Sequence, residues 1–138
     1  LVSIRYAMPV AVFDMVNVAG STTVCFATGT EHFTDPGSSA SVHPDPGEVI
    51  FVDSDDVVSA KRWCWRQSAQ SATSKTTTDA LIVVEGHHDT AGRDVELALA
   101  DLTSLLAAYQ PRGQSEAYVL SATNPHTGAS ENVEDASR

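Results

Sequence analysis

Apolar residues in this chain come in short runs separated by turn-forming residues, a spacing that favours strands over helices for most of its length. Thr23-Val24-Cys25-Phe26 reads as a strand closed by Thr28-Gly29-Thr30. Glu48–Val52 and Val57–Ala60 flank Asp53-Ser54-Asp55-Asp56, a polar tetrapeptide whose side chains can bond to the turn backbone, so the two runs are expected to pair antiparallel. Ala80–Glu85 is a continuous apolar run ending at Gly86 and predicts a central strand covered on both faces. One stretch changes period: Val95, Leu99, Leu102, Leu106 and Tyr109 recur at three- and four-residue steps and form one stripe of an amphipathic helix over 94–109. Asp94 and Glu96 suit the positive end of its dipole, and Gln110-Pro111-Arg112-Gly113 stops it. The Ser/Pro/Gly stretch from Asp35 to Gly47 predicts a long mobile loop, and the chain beyond Gly113 a flexible tail.

Composition narrows the class. With 138 residues and 42% hydrophobic side chains there is room for one domain. Eighteen acidic against eight basic residues give a formal charge of −10, which opposes indiscriminate attraction to phosphate backbones. Apolar runs are too short to span a bilayer, and the start has no basic region followed by an apolar stretch, so no signal peptide and no membrane partner are expected. Cys25 and Cys64 lack the paired spacing of a zinc site and read as free thiols in a reducing, cytoplasmic setting, with one bridge between them left open. Leu1 stands where an initiator Met would, which suggests a fragment boundary or a processing site.

The densest chemistry is Lys61-Arg62-Trp63-Cys64-Trp65-Arg66-Gln67, which holds both tryptophans and three of the eight basic residues. As an extended strand it would put Lys61, Trp63, Trp65 and Gln67 on one face and Arg62, Cys64 and Arg66 on the other. Two readings follow: buried tryptophans with arginines paired to surface carboxylates, or a cationic face holding a carboxylate or phosphate through the guanidinium fork. His87-His88-Asp89 is no convincing metal motif, because adjacent side chains on an extended chain point apart, and no metal or cofactor is expected. His32, beside Glu31, reads as a hydrogen-bonded surface histidine or a base. Ser41, His43 and Asp45 alternate without the elbow and oxyanion scaffold of a nucleophilic triad.

The block Arg62-Trp63-Cys64-Trp65-Arg66-Gln67, the hydroxyl residues Ser71, Ser74 and Thr77, and Ala80–Gly86 resemble the stand-alone B3/B4 domain proteins, relatives of the editing module in the beta chain of bacterial phenylalanyl-tRNA synthetase. Ser3-Ile4-Arg5-Tyr6 with Pro9-Val10, Phe13-Asp14, Phe26-Ala27 with Gly29, Phe33, and Pro46-Gly47-Glu48-Val49 add to the resemblance, which runs from Leu1 to about Tyr109. Cys64 stands where that family usually has Asn, and Ala69-Gln70 where it commonly has an acidic-basic pair.

The resemblance implies an α+β fold: a β-rich mixed sheet or sandwich with the long C-terminal helix packed on it. It further implies a partial B3/B4 domain over 1–112, lacking its N-terminal portion and therefore prone to self-association, followed by a tail over 113–138. By the same resemblance the chain binds a tRNA acceptor end or aminoacyl adduct and hydrolyses the mischarged ester without a metal. Glu85 would hold the substrate ammonium or the water, Arg62 and Arg66 a phosphate, and Trp65, Gln67, Ser71, Ser74 and Thr77 would complete the substrate site. The alternative is a non-catalytic module for a small carboxylate, a peptide or a protein partner, which the acidic balance favours slightly.

Overall fold

In the computed structural model, which describes residues 1–127, the expected hairpin forms and Asp53 builds its turn. One carboxylate oxygen accepts the N–H groups of Asp55 and Val57, both at 2.9 Å, and the other accepts that of Ala19 at 2.9 Å. Side-chain capture of turn amides explains why this residue type sits here. Asp56 takes a left-handed backbone, φ 60°, which Asp tolerates better than most residues. The hairpin joins β5 (Val49–Val52) to β6 (Val58–Lys61). A bulge between Phe51 and Val52 shifts their register, so Phe51 opposes Ala60 and Val52 opposes Val58.

Strand β2 (Thr23–Phe26) pairs with the other edge of β5, and β7 (Arg66–Gln67) pairs with β6, giving the order β2-β5-β6-β7. Two further pairs complete the unit Leu1–Gly86: β1 (Val10–Asp14) with β8 (Ala80–Val84), and β3 (Phe33–Thr34) with β4 (Ser41–Val42). A short helix, α1 (Val2–Tyr6), precedes them. Among the described residues every ladder is antiparallel; parallel pairing is confined to one bridge, His32 with Val57. The β-rich α+β character expected is thus present, with the strands divided among three small antiparallel sheets.

The strand covered on both faces is β5, not 80–84. Phe51 packs with Phe13 and Ala60 on one side, and Ile50 and Val52 pack with Ala27, Phe33 and Val58 on the other. The Phe13 and Phe51 rings lie 5.5 Å apart, tilted by 50°. Strand β8 pairs with β1 alone and leaves its residues exposed or half-buried, because an all-apolar run is compatible with either setting. The Ser/Pro/Gly stretch is no structureless loop: it supplies β4, which pairs with β3 just before it, and seats Pro44 fully inside.

Glu31 closes the adjoining turn. It is 5% exposed, and its carboxylate accepts the N–H groups of Thr28, Gly29 and Thr30 and the Thr28 hydroxyl at 2.8–3.2 Å. Burial pushes its pKa up, but these donors outweigh burial and hold it down at about 2.

In the second unit, from His87, α2 spans Ala91–Tyr109 and starts three residues before the expected Asp94. Asp94 holds this start, accepting the Thr90 hydroxyl at 2.6 Å and lying 2.9 Å from His88 Nε2, contacts that keep its carboxyl below the usual range. The Gln110 N–H closes on Leu106 at 2.7 Å, and Pro111 ends the helix. Beyond it, up to residue 127, the chain is irregular apart from a tight turn closed between Ser121 and Asn124. The remainder of the expected tail, 128–138, lies outside the described residues. No helix among the described residues is long and apolar enough to cross a membrane.

Two outcomes follow. Phe51→Ala removes the ring that joins β5 to β1 and should cost about 3–5 kcal/mol of stability, read by denaturant unfolding. Because the folded pKa of Glu31 lies below its ordinary 4.5, its stabilisation is complete above that pH and is lost as pH falls toward the folded value. Glu31→Gln should therefore flatten the loss of thermal stability between about pH 4.5 and 2, measured by melts across that range.

Candidate nucleic-acid interface

Residues 62–65 are a turn, not part of a strand. Lys61 pairs with Arg66 and Ala60 with Gln67, so the four residues between reverse the chain. Arg62 and Trp63 both adopt left-handed backbones, φ 54° and 59°. L-residues with bulky side chains resist that region, at a cost of about 1–2 kcal/mol each. The Trp63 N–H, bonded to the Val49 carbonyl at 3.1 Å, and the Trp65 N–H, bonded to that of Arg62 at 3.3 Å, hold the turn in this shape.

This geometry replaces the expected alternation of faces. Trp63 is 45% exposed and Trp65 72%, so neither is buried behind the arginines. Only Cys64 turns inward, against the Phe13–Phe51 cluster. The aromatic surface is therefore on the outside. Trp65 lines an open recess of about 340 Å³ with Pro36, Arg66 and Gln67.

Both arginines carry intramolecular partners. Arg62 Nε donates to Glu48 at 2.9 Å, and Arg66 Nη2 donates to Asp35 at 2.6 Å. Burial pushes the Glu48 carboxyl up, but the Arg62 and Asp45 donors and the charges of Lys61 and Arg62 outweigh it, so it stays below the usual range. Exposed pairs of this kind add little stability, and each uses one of the five N–H donors of a guanidinium.

Gln67 anchors the recess from below. Its amide nitrogen gives protons to the carbonyls of Val12 and Ser71, both at 2.7 Å, and so ties β7 to β1. The hydroxyl residues lie apart from one another in role. Ser71 is buried, and its hydroxyl donates to the Ser59 carbonyl at 2.7 Å, beside the bulge. Thr77 donates to Asp14 at 2.5 Å, a bond that with the Val16 N–H lowers the Asp14 pKa. Ser74 is exposed in a local turn, bonded to Thr76 and Thr77.

Glu85, half-buried just past β8, accepts the Cys64 thiol at 3.5 Å, so the carboxylate lies directly behind the Trp-bearing turn. Burial, and then the Glu85 charge, push the Cys64 thiol up to about 11, which leaves it protonated and unreactive at neutral pH. Both cysteines are free thiols. Among the described residues, no three His, Cys, Asp or Glu side chains form a group suited to a metal ion.

The exposure of the tryptophans is what sequence reasoning missed. Its signal was the length of the polar and aromatic block between apolar strand ends, which fits a hairpin turn as well as a strand. The thiol supplies a test of the geometry. Glu85→Gln removes the neighbouring charge and should lower the Cys64 pKa and speed its thiol–disulfide exchange at pH 8–9, followed by the thiolate that a chromogenic disulfide releases, in a Cys25→Ser background to isolate one thiol.

No curated protein and no solved structure matches the chain. A family model does, and its match extends past α2, beyond the Tyr109 limit of the resemblance in the motifs. Residues 1–127 match the B3/4 domain, and the chain belongs to that family.

Proposed function

We propose that this B3/4 domain binds the single-stranded acceptor end of a tRNA, stacking an unpaired base on Trp65. The observation that carries this reading is the exposed Trp63–Trp65 turn with its recess beside Arg66. Flat aromatic side chains next to guanidinium groups suit splayed-out bases, since every base has a face to stack and a phosphate nearby. Gln67, pinned from below, sets the depth of the recess. Arg62 and Arg66 would share their remaining donors with the ligand phosphates.

Hydrolysis of an aminoacyl ester is a second step that the same placement accommodates. A bound ester at the turn would bring its ammonium toward Glu85, which already reaches Cys64. Ser71 and Thr77 have committed their protons to Ser59 and Asp14, and Ser74 lies exposed. Binding is therefore the primary role, and any deacylation would rest on Glu85.

Anisotropy of a labelled single-stranded RNA ending in the acceptor sequence tests the reading. Trp65→Ala should weaken binding by about 1–3 kcal/mol, the worth of one stacked base, and Arg66→Ala should weaken it with little change in its salt dependence, because Asp35 already neutralises that guanidinium. Unchanged binding in both variants, or no RNA binding by the wild type, sinks the proposal and leaves a peptide or protein partner for the exposed tryptophans. Release of amino acid from mischarged tRNA by the wild type but not by Glu85→Gln would add the hydrolytic step.

A further inference from the structure

The β3–β4 hairpin carries a pair of histidines that the tRNA reading does not use. Phe33 opposes Val42 in that ladder, so the next pair outward is His32 opposite His43. Directly opposed residues project from the same face of an antiparallel pair. The two rings stand with centroids 5.4 Å apart, tilted by 48°, and both residues are exposed.

Their surroundings fix them. The His43 Nδ1 lies 2.8 Å from the Glu31 carbonyl oxygen, which can only accept, so Nδ1 bears the proton of the neutral ring and Nε2 its lone pair. The His32 Nδ1 is engaged with the Ser41 hydroxyl at 3.4 Å, leaving Nε2 as its second nitrogen. Such a bond on the far nitrogen is the usual way a ligating imidazole is oriented. The backbones are held too. The His32 N–H donates to Asp56 and its carbonyl accepts from Val58, both at 2.8 Å, while Pro44, next to His43, is fully buried.

We propose that His32 and His43 together bind one borderline divalent transition ion, such as Cu²⁺ or Zn²⁺, with water completing the coordination. With metal–nitrogen bonds of about 2.0–2.1 Å, and ring atoms about 1.2 Å from the ring centre, two imidazoles on one ion have centroids roughly 4.5–5.5 Å apart. The observed 5.4 Å falls in that range. Imidazole suits both ions, and Cu²⁺ should bind more tightly than Zn²⁺. The ion would clip the ends of a hairpin whose ladder is only two residue pairs long.

Calorimetric titration of the untagged full chain with CuCl₂ and with ZnCl₂ alone decides the matter. One ion per chain is expected, with His32→Ala and His43→Ala each weakening binding roughly tenfold or more and His126→Ala leaving it unchanged. Zn²⁺ should raise the Tm of the wild type but not of either hairpin variant, whose own melts without metal show that they fold. The proposal is overturned if no ion binds, if either hairpin variant binds as tightly as the wild type, or if His126→Ala removes the binding.

Discussion

Alternate side chains of a strand point to opposite faces, and here one four-residue strand must satisfy two half-cores at once. Phe51 of β5 faces Phe13 and Ala60, while Ile50 and Val52 face Ala27, Phe33 and Val58. The three small sheets are held around that strand because none is wide enough to bury a face alone. A one-residue slip of β5 would exchange the two clusters, placing Phe51 among the neighbours of Ile50. The Asp53 turn and the bulge opposite Phe51 set the register that prevents this.

The candidate interface depends on the same register. With β6 fixed by β5, Lys61 ends its strand at a set point and the chain must reverse within four residues to pair Arg66. Two residues accept left-handed backbones to make the reversal, and the hydrogen bond to Val49 that stabilises it comes from β5 itself. Gln67 then connects the turn to β1 and to the segment around Ser71. The tryptophans are exposed because the turn spends its inward-facing position on Cys64, the smallest side chain available there.

Much of this was legible in the residues. Asp and Ser between two β-branched runs identified the central hairpin, and the three- and four-residue spacing from Val95 to Tyr109 identified the long helix. The start of that helix was not legible, since Ala91-Gly92-Arg93 adds nothing to the apolar stripe and its anchor, Thr90 with Asp94, is a side-chain contact. The β3–β4 hairpin escaped notice because each strand is two residues long, below any detectable period. In the interface, residue types were legible but their directions were not. Side-chain alternation assumes an extended backbone, and two positive φ angles at Arg62 and Trp63 abolish it. The family likeness, by contrast, depended only on order along the chain, so the turn did not disturb it.

Arg62 and Arg66 bring their own counter-charges, Glu48 and Asp35, attached to the same chain. A phosphate that takes up either guanidinium joins a pair already neutral, so little net charge is cancelled and few cations are released from the nucleic acid. On a protein of formal charge −10, the long-range field repels an extended polyanion at every distance where screening permits. In the proposed complex, attraction would act only at contact, through stacking and a shared fork. On the proposed function such a surface would select the end of a strand over its length, since a terminus can place one base and one phosphate at the turn while the rest of the polymer leads away from an acidic protein.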